Sequence, residues 1–319
     1  MLGKPKPTGP GATLWIRWLV AFTCGVMLSW PRVARGSEDR PPVGLWQHAD
    51  RLKLEVGGLF ALLSYAGFRD WKWGTAYFQF RAEGFFGMRT GSGGQDKLGH
   101  CFSTYLMSET LYLRLRNRYG QEAPVTVYPA LFSWLLMAYV EMFDGFSVDH
   151  GFSKEDLLMD TLGASTSFLK RSVPSVGRVF DFRMEYYPST QSGGFHPMID
   201  YSGQKFLLAL RPSGIPLFND SPFRFFELYL GYYTRGFERS SVDPERRAVL
   251  FTGVGVDLQA IFASQMGDPE EYPGSFIDTM SVALRTFQLP YGYPTMTLQR
   301  RTAPLIAPRP KSIAAQPGL

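Results

Sequence analysis

The feature that most constrains this chain is a change of hydrophobic period near Arg178. Before it, apolar residues recur at helical spacing, as in Leu52, Val56, Leu59, Leu62, Leu63 and Ala66. After it, short runs alternate. Leu228, Leu230 and Tyr232 interleave with Glu227, Tyr229 and Tyr233, and Leu250, Val254, Val256 and Leu258 with Asp257 and Gln259. Helical and strand periods confined to separate stretches predict an α+β protein.

The spacing predicts helices over 51–68, 96–119, 124–143 and 155–170, with Gly67, Gly120 and Pro174 as stops. Strands are expected over 180–187, 205–211, 225–237 and 248–259, with the polar stretch 238–247 as a hairpin linker. Ile277, Met280, Leu284 and Phe287 mark one more amphipathic helix, ended by Pro290. The expected fold is a bundle of four to five helices, followed by a small antiparallel β-sheet and a C-terminal amphipathic helix. About four strands fall short of the eight that an outer-membrane barrel needs. The expected division is a signal peptide at 1–36, a helical domain at 37–178, a β-rich region with the helix at 179–300 and a disordered tail at 301–319.

The formal charge is +5 over 319 residues, and its location decides its meaning. Lys4, Lys6, Arg17, Arg32 and Arg35 lie in the first 36 residues, where no acidic residue stands. The remaining 28 basic residues balance 28 acidic ones, so no basic face for nucleic acid is evident. The leader has the order of a secretory signal: a basic stretch, an apolar run from Trp18 to Trp30, then Ala34-Arg35-Gly36. It predicts export to the periplasm or to an outer-membrane-associated site. Cys24 follows Ala21-Phe22-Thr23, a poor lipidation context, and Cys101 alone cannot form an internal disulfide.

The stretch 123–140 carries no charge, which leaves it as either a central bundle helix or a segment in lipid. The aromatics between Trp71 and Phe86 read as core in preference to an interfacial belt. His150 and His196 lie in turns and read as surface residues.

Polar residues on apolar helices carry the chemistry. Asp96 and His100 share a helix face, continued by Ser103, Thr104 and Met107. Ser133, Met137, Glu141 and Asp144 form a second stripe, and Asp156, Asp160, Gly163 and Ser167 a third. If the stripes face one another, an imidazole and several carboxylates meet in a low-dielectric pocket suited to acid–base or metal chemistry. His100, Glu141, Asp156 and Asp160 are then the candidate catalytic residues, and His100, Glu141 and Asp156 the candidate metal ligands. Plainer readings stand beside these. Asp96 can cap its helix, Ser153-Lys154-Glu155-Asp156 is a capping box, and His100 can be a bonded core histidine. Asp144, Asp149 and Glu155 do not match an EF-hand.

WKWGTAYFQFRAEGFFG, GGQDKLGH and EMFDGFSVDHGFSKEDLLMDTLGA together resemble the YfiM-type family of predicted periplasmic lipoproteins, over roughly residues 60–190. Asp96-Lys97, His100, Glu141, Asp156, Asp160 and Gly163 are more distantly similar to VanZ-like membrane proteins, in which Asn usually stands where Asp160 stands here. The resemblance implies an envelope location and a helical domain, and it implies no activity and no cofactor. Three function classes follow. The first is a structural or interaction protein contacting membrane or other envelope components. The second is an enzyme acting on a lipid or cell-wall substrate through the His/carboxylate pocket. The third is an integral membrane component with the 125–140 helix in lipid.

Overall fold

A computed structural model describes residues 45–119, 126–190, 192, 194–237, 245–267 and 274–304. The proposed leader, the stop at Gly120 and most of the 301–319 tail lie outside these residues. The helices of the first half are α1 (Leu45–Arg51), α2 (Lys53–Arg69), α3 (Gln95–Tyr119), α4 (Val127–Asp144), α5 (Lys154–Ser172) and the short α6 (Pro174–Val179). Pro174 thus starts a new helix as well as ending α5, since its missing N–H and fixed φ suit a first turn.

Local chemistry sets the boundaries. Ser153 has extended backbone and its hydroxyl accepts from Asp156 N, which starts α5. The Ser92 hydroxyl accepts from Asp96 N, so Ser92 bonds the first turn of α3 and the Asp96 carboxylate is left for other work. Gly67 meets the Trp73 indole where any Cβ would overlap it, and the chain folds back over the end of α2 there.

Helix α3 is central. Its Leu111 and Leu115 join Leu59 and Leu63 of α2 and Leu136, Met137 and Val140 of α4 in the main core. Its Phe102 and Tyr105 pack on Met184 and Phe206 of the sheet.

The α+β class is borne out, with more strands than expected. Strands β1 (Phe180–Tyr186), β2 (Gln204–Leu210), β3 (Phe226–Arg235), β4 (Glu245–Val256), β5 (Phe287–Gln288) and β6 (Thr295–Pro304) form one sheet in the order β5-β1-β2-β3-β4-β6. The pairs are antiparallel except the parallel β1–β5 edge. Residues 301–304, expected in the tail, belong to β6 and pair with β4. Leu258 and Gln259, expected to extend β4, begin α7 (Leu258–Met266), because the Asp257 carboxylate caps Ala260 N. The expected C-terminal helix is α8 (Phe276–Thr286), capped by Ser275.

The face of the sheet away from α3 buries charged groups beside the apolar cluster of Leu207, Ala209 and Phe251, while the face toward α3 buries Met184 and Phe206 and leaves its outer part open. Arg183, Glu227 and Tyr229 point to the face away from α3 and are at most 3% exposed, and Arg183 bonds both oxygens of Glu227. Leu208, Phe226, Leu228, Leu230, Val254 and Val256 on the other face are 43–48% exposed.

The aromatic segment is core only in part. Trp73 is buried and Trp71 packs on the main cluster, whereas Tyr77, Phe78, Phe80, Phe85 and Phe86 are exposed. No helix among the described residues is long and apolar enough to cross a membrane, so the integral-component alternative finds no support.

Candidate functional site

The three polar stripes meet. Helix α3 supplies Asp96, Lys97, His100 and Thr104, α4 supplies Glu141 and Asp144, and α5 supplies Asp156 and Asp160. The close approach of α3 and α5 depends on Gly163. A Cβ there would lie 3.0 Å from the Cys101 carbonyl carbon, 3.1 Å from Thr104 Cβ, and nearer still to the Cys101 oxygen. That contact seats Asp160, one turn earlier on α5, against the His100 turn of α3.

His100 Nδ1 lies 3.3 Å from Asp160 and 3.6 Å from Glu141, and its Nε2 lies 3.9 Å from Asp156. The Thr104 hydroxyl donates to Asp160 Oδ1 at 2.9 Å, while Oδ2 of this fully buried carboxylate has no hydrogen-bond partner. Lys97, itself buried, contacts Asp156 at 2.7 Å, Asp96 at 3.2 Å, and Glu83. Tyr201, from the turn before β2, donates to Asp96 Oδ1 at 2.7 Å. Ser153 N donates to Glu141 Oε2 at 3.2 Å, and Trp73 Nε1 to Asp144 Oδ1 at 2.6 Å.

The plainer readings hold in part, since Ser153 caps Asp156 N and His100 is hydrogen-bonded to Asp160, and further contacts stand beside them. Asp96 bonds Tyr201 and Lys97, Asp156 bonds Lys97 through its side chain, and Glu141 and Asp144 are buried at the end of α4. Other parts of the stripes serve packing. The Ser133 hydroxyl bonds Pro129 O within its helix, and the Ser167 hydroxyl bonds Glu109. Asp149 pairs with Lys72 in the solvent-exposed loop.

Burial and like charges shape the titration. Burial by itself would lower the His100 imidazole, but the carboxylates of Asp160 and Asp156 outweigh it and hold the ring well above its ordinary range. Burial pushes Glu141 up to about 9, against the opposing pull of His100. Asp144 and Asp156 are raised for the same first reason. For Asp96, burial is outweighed by His100 and Lys97, and its pKa falls. The Cys101 thiol is pushed up to about 12 by burial, so it is inert at neutral pH.

Four carboxylates, those of Asp96, Glu141, Asp156 and Asp160, therefore share a buried site with two cationic groups, Lys97 and His100. Two trios bring ligand atoms within 4.8 Å of one another: Asp96, His100 and Asp156, and His100, Glu141 and Asp160. His100 is common to both trios, with Glu141 in one and Asp156 in the other. Oxygen and imidazole donors among an excess of buried carboxyl groups suit a divalent cation, and the Asp160 oxygen without a hydrogen bond among the described residues is free to serve as a ligand atom.

The cluster opens on a cavity of about 410 Å³. Away from the cluster its walls are mainly apolar, formed by Leu59, Leu63, Met107, Met137, Val140 and Met198 among others, with Glu55, Ser103 and Thr110 set between them. His150, expected at the surface, lines this cavity, and His196, also expected there, is buried in the turn before β2. The sequence pattern missed Tyr201, Glu83 and the pairing role of Lys97. Tyr201 stands in a loop with no periodicity, and only the fold carries it to α3.

Residues 82–172 match the family described as predicted periplasmic lipoprotein (DUF2279). The DUF2279 match covers α3, α4 and α5, and hence every candidate site residue named from the sequence. It agrees with the resemblance to YfiM-type proteins, does not extend to the VanZ-like comparison, and fits a periplasmic or envelope location. No curated protein and no solved structure matches the chain.

Proposed function

We propose that this is an envelope protein that holds one amphipathic, lipid-class molecule, with its polar head at a divalent cation bound by His100 and the surrounding carboxylates. The observation that carries the reading is the shared wall. The buried cluster of His100, Glu141 and Asp156 and the apolar residues Leu63, Met107 and Met137 line the same cavity. A cavity of about 410 Å³ lined mainly by apolar groups, with a few convergent polar ones, is the usual form of a small-molecule site. The cation answers the charge imbalance, because an excess of buried carboxylates is costly unless protons or a metal neutralise it.

The test has two arms on the full chain. Calorimetric titration with Mn²⁺ and with Zn²⁺ gives saturable binding, weakened at least about tenfold by His100→Ala and by Asp160→Asn. A fluorescent fatty-acid probe is taken up by the wild type and excluded when Met107→Trp fills the apolar wall. Probe binding that survives Met107→Trp, or no saturable metal binding, sinks the corresponding half of the reading.

A hydrolytic reading is favoured by one further observation. His100 and Asp96 are 19% and 23% exposed in their side chains beside Glu141, Asp156 and Asp160 at 6% or less, so the cluster faces the cavity through the imidazole and the Asp96 carboxylate. There His100, held protonated by the carboxylates of Asp160 and Asp156, would act as the general acid, with Glu141, Asp156 and Asp160 orienting it. Turnover of a short-chain ester or phosphodiester by the metal-loaded chain, lost in His100→Ala, is the expected result. Retention of turnover in that variant excludes this role.

A further inference from the structure

A second cavity, of about 450 Å³, lies where the C-terminal ends of α3 and α5 meet α6, α7 and α8. Its chemistry is the opposite of the first. Seven basic side chains line it, against Glu109 and Asp278. Behind the wall, Asp181 pairs with Lys170, Arg211 and Arg285, and Asp257 pairs with Arg211. Seven cations therefore face four carboxylates among the described residues, an excess of three positive charges.

The excess is not spread evenly. Lys170 and Arg211 are committed, bonded to Tyr105 and Asp181 and to Asp257, Asp181 and Gln259. Arg116, Arg171 and Arg285 each use Nε and Nη2 and leave Nη1 without a hydrogen bond among the described residues. Arg178 has no ion pair among them, and Arg224 donates only to Asn219 O and stacks on the Phe225 ring. Ser281 lines the same cavity, is 5% exposed, and its hydroxyl has no partner among the described residues.

We infer that this cavity is an anion site for a phosphomonoester or diphosphate group. Unused guanidinium donors converge there with a buried hydroxyl and a net charge near that of a diphosphate. Planar guanidinium forks bind phosphate oxygens in pairs, which a point charge cannot do. The paired carboxylates hold Arg116, Arg171 and Arg285 in the cavity wall through Nη2, with Nε also bonded, and leave Nη1 of each for a ligand. This inference does not rest on the cation site.

The experiment uses the full chain with chelator present, so that a metal at His100 cannot contribute. Inorganic pyrophosphate is titrated calorimetrically, and flotation is measured with phosphatidylcholine vesicles with and without phosphatidic acid. The variant is Arg178→Ala with Arg224→Ala, two side chains outside any ion pair among the described residues, and the control is Arg300→Ala with Arg301→Ala on the exposed β6. Saturable pyrophosphate binding, weakened at least about tenfold by the first pair and unchanged by the second, is expected. Capture by phosphatidic-acid vesicles with the same variant pattern assigns the anion to a lipid headgroup. Pyrophosphate binding without capture assigns it to a soluble ligand. No saturable binding, or equal loss in both variant pairs, overturns the inference.

Discussion

Gly163→Ala tests the geometry on which the candidate centre depends. The added methyl would lie 3.0 Å from the Cys101 carbonyl carbon and 3.1 Å from Thr104 Cβ, with the Cys101 oxygen closer still. Two of these neighbours are backbone atoms and cannot rotate away. Ordinary contact distances require α3 and α5 to separate by roughly 1 Å. Overpacking of this kind costs about 1–3 kcal/mol, slightly offset by the better helix propensity of Ala. At about 2–4 °C per kcal/mol for a chain of this size, the melting temperature falls by roughly 2–12 °C. The same displacement moves Asp160 away from His100, now 3.3 Å apart, and Lys97 away from Asp156, now 2.7 Å apart. Mn²⁺ affinity should therefore fall with stability. Gly57→Ala is the control, because nothing lies within 4 Å of its added methyl and the position is helical. It should be neutral or stabilising by up to about 1 kcal/mol. Differential scanning calorimetry and metal titration of both variants decide the matter. A Gly163→Ala protein that melts with the wild type and binds Mn²⁺ equally well would refute the proposed role of the close contact.

Lys97→Met removes the cation between Asp96, Asp156 and Glu83, and should cost about 3–5 kcal/mol in urea unfolding at neutral pH, with recovery when Mn²⁺ is added. Glu141 titrates at about 9 in the folded chain, against an ordinary 4.5. Without metal the folded state holds its proton longer than the unfolded chain, so stability is lost as pH rises from 4.5 to about 9. Glu141→Gln should therefore out-melt the wild type near the top of that window in chelator, with the gap closing below its lower end; a gap independent of pH argues against the titration. Trp73→Phe leaves the buried Asp144 oxygen without its donor and should cost about 1–3 kcal/mol, measured by thermal melting; an unchanged melting temperature would show that water takes the donor's place.

Much of the helical half was legible because its signals are local. The faces of α3, α4 and α5 follow a 3.6-residue period, and a carboxylate every four residues on an apolar helix must point one way along it. The match to residues 82–172 rests on that same patterned stretch. The sheet was legible in its period and obscure in its polarity. Alternation shows that Glu227 and Leu228 face opposite sides, and it does not say which side is covered. The fold buries Glu227 against Arg183 and leaves Leu228 half exposed. Strands β5 and β6 carry little period of their own and exist as partners to β1 and β4.

By itself, the sequence determined the α+β division, the helix faces and the identity of the side chains that could share a centre, because helix period and side-chain chemistry are properties of neighbouring residues. Only the tertiary structure decided that His100 is shared by two pairs of carboxylates, that Tyr201 and Lys97 bond to one of those pairs, and that one cavity carries acidic groups and another basic ones. Those outcomes depend on the distance between elements far apart in the chain. That distance is set by backbone contacts such as Gly163 against Cys101, which no local pattern records.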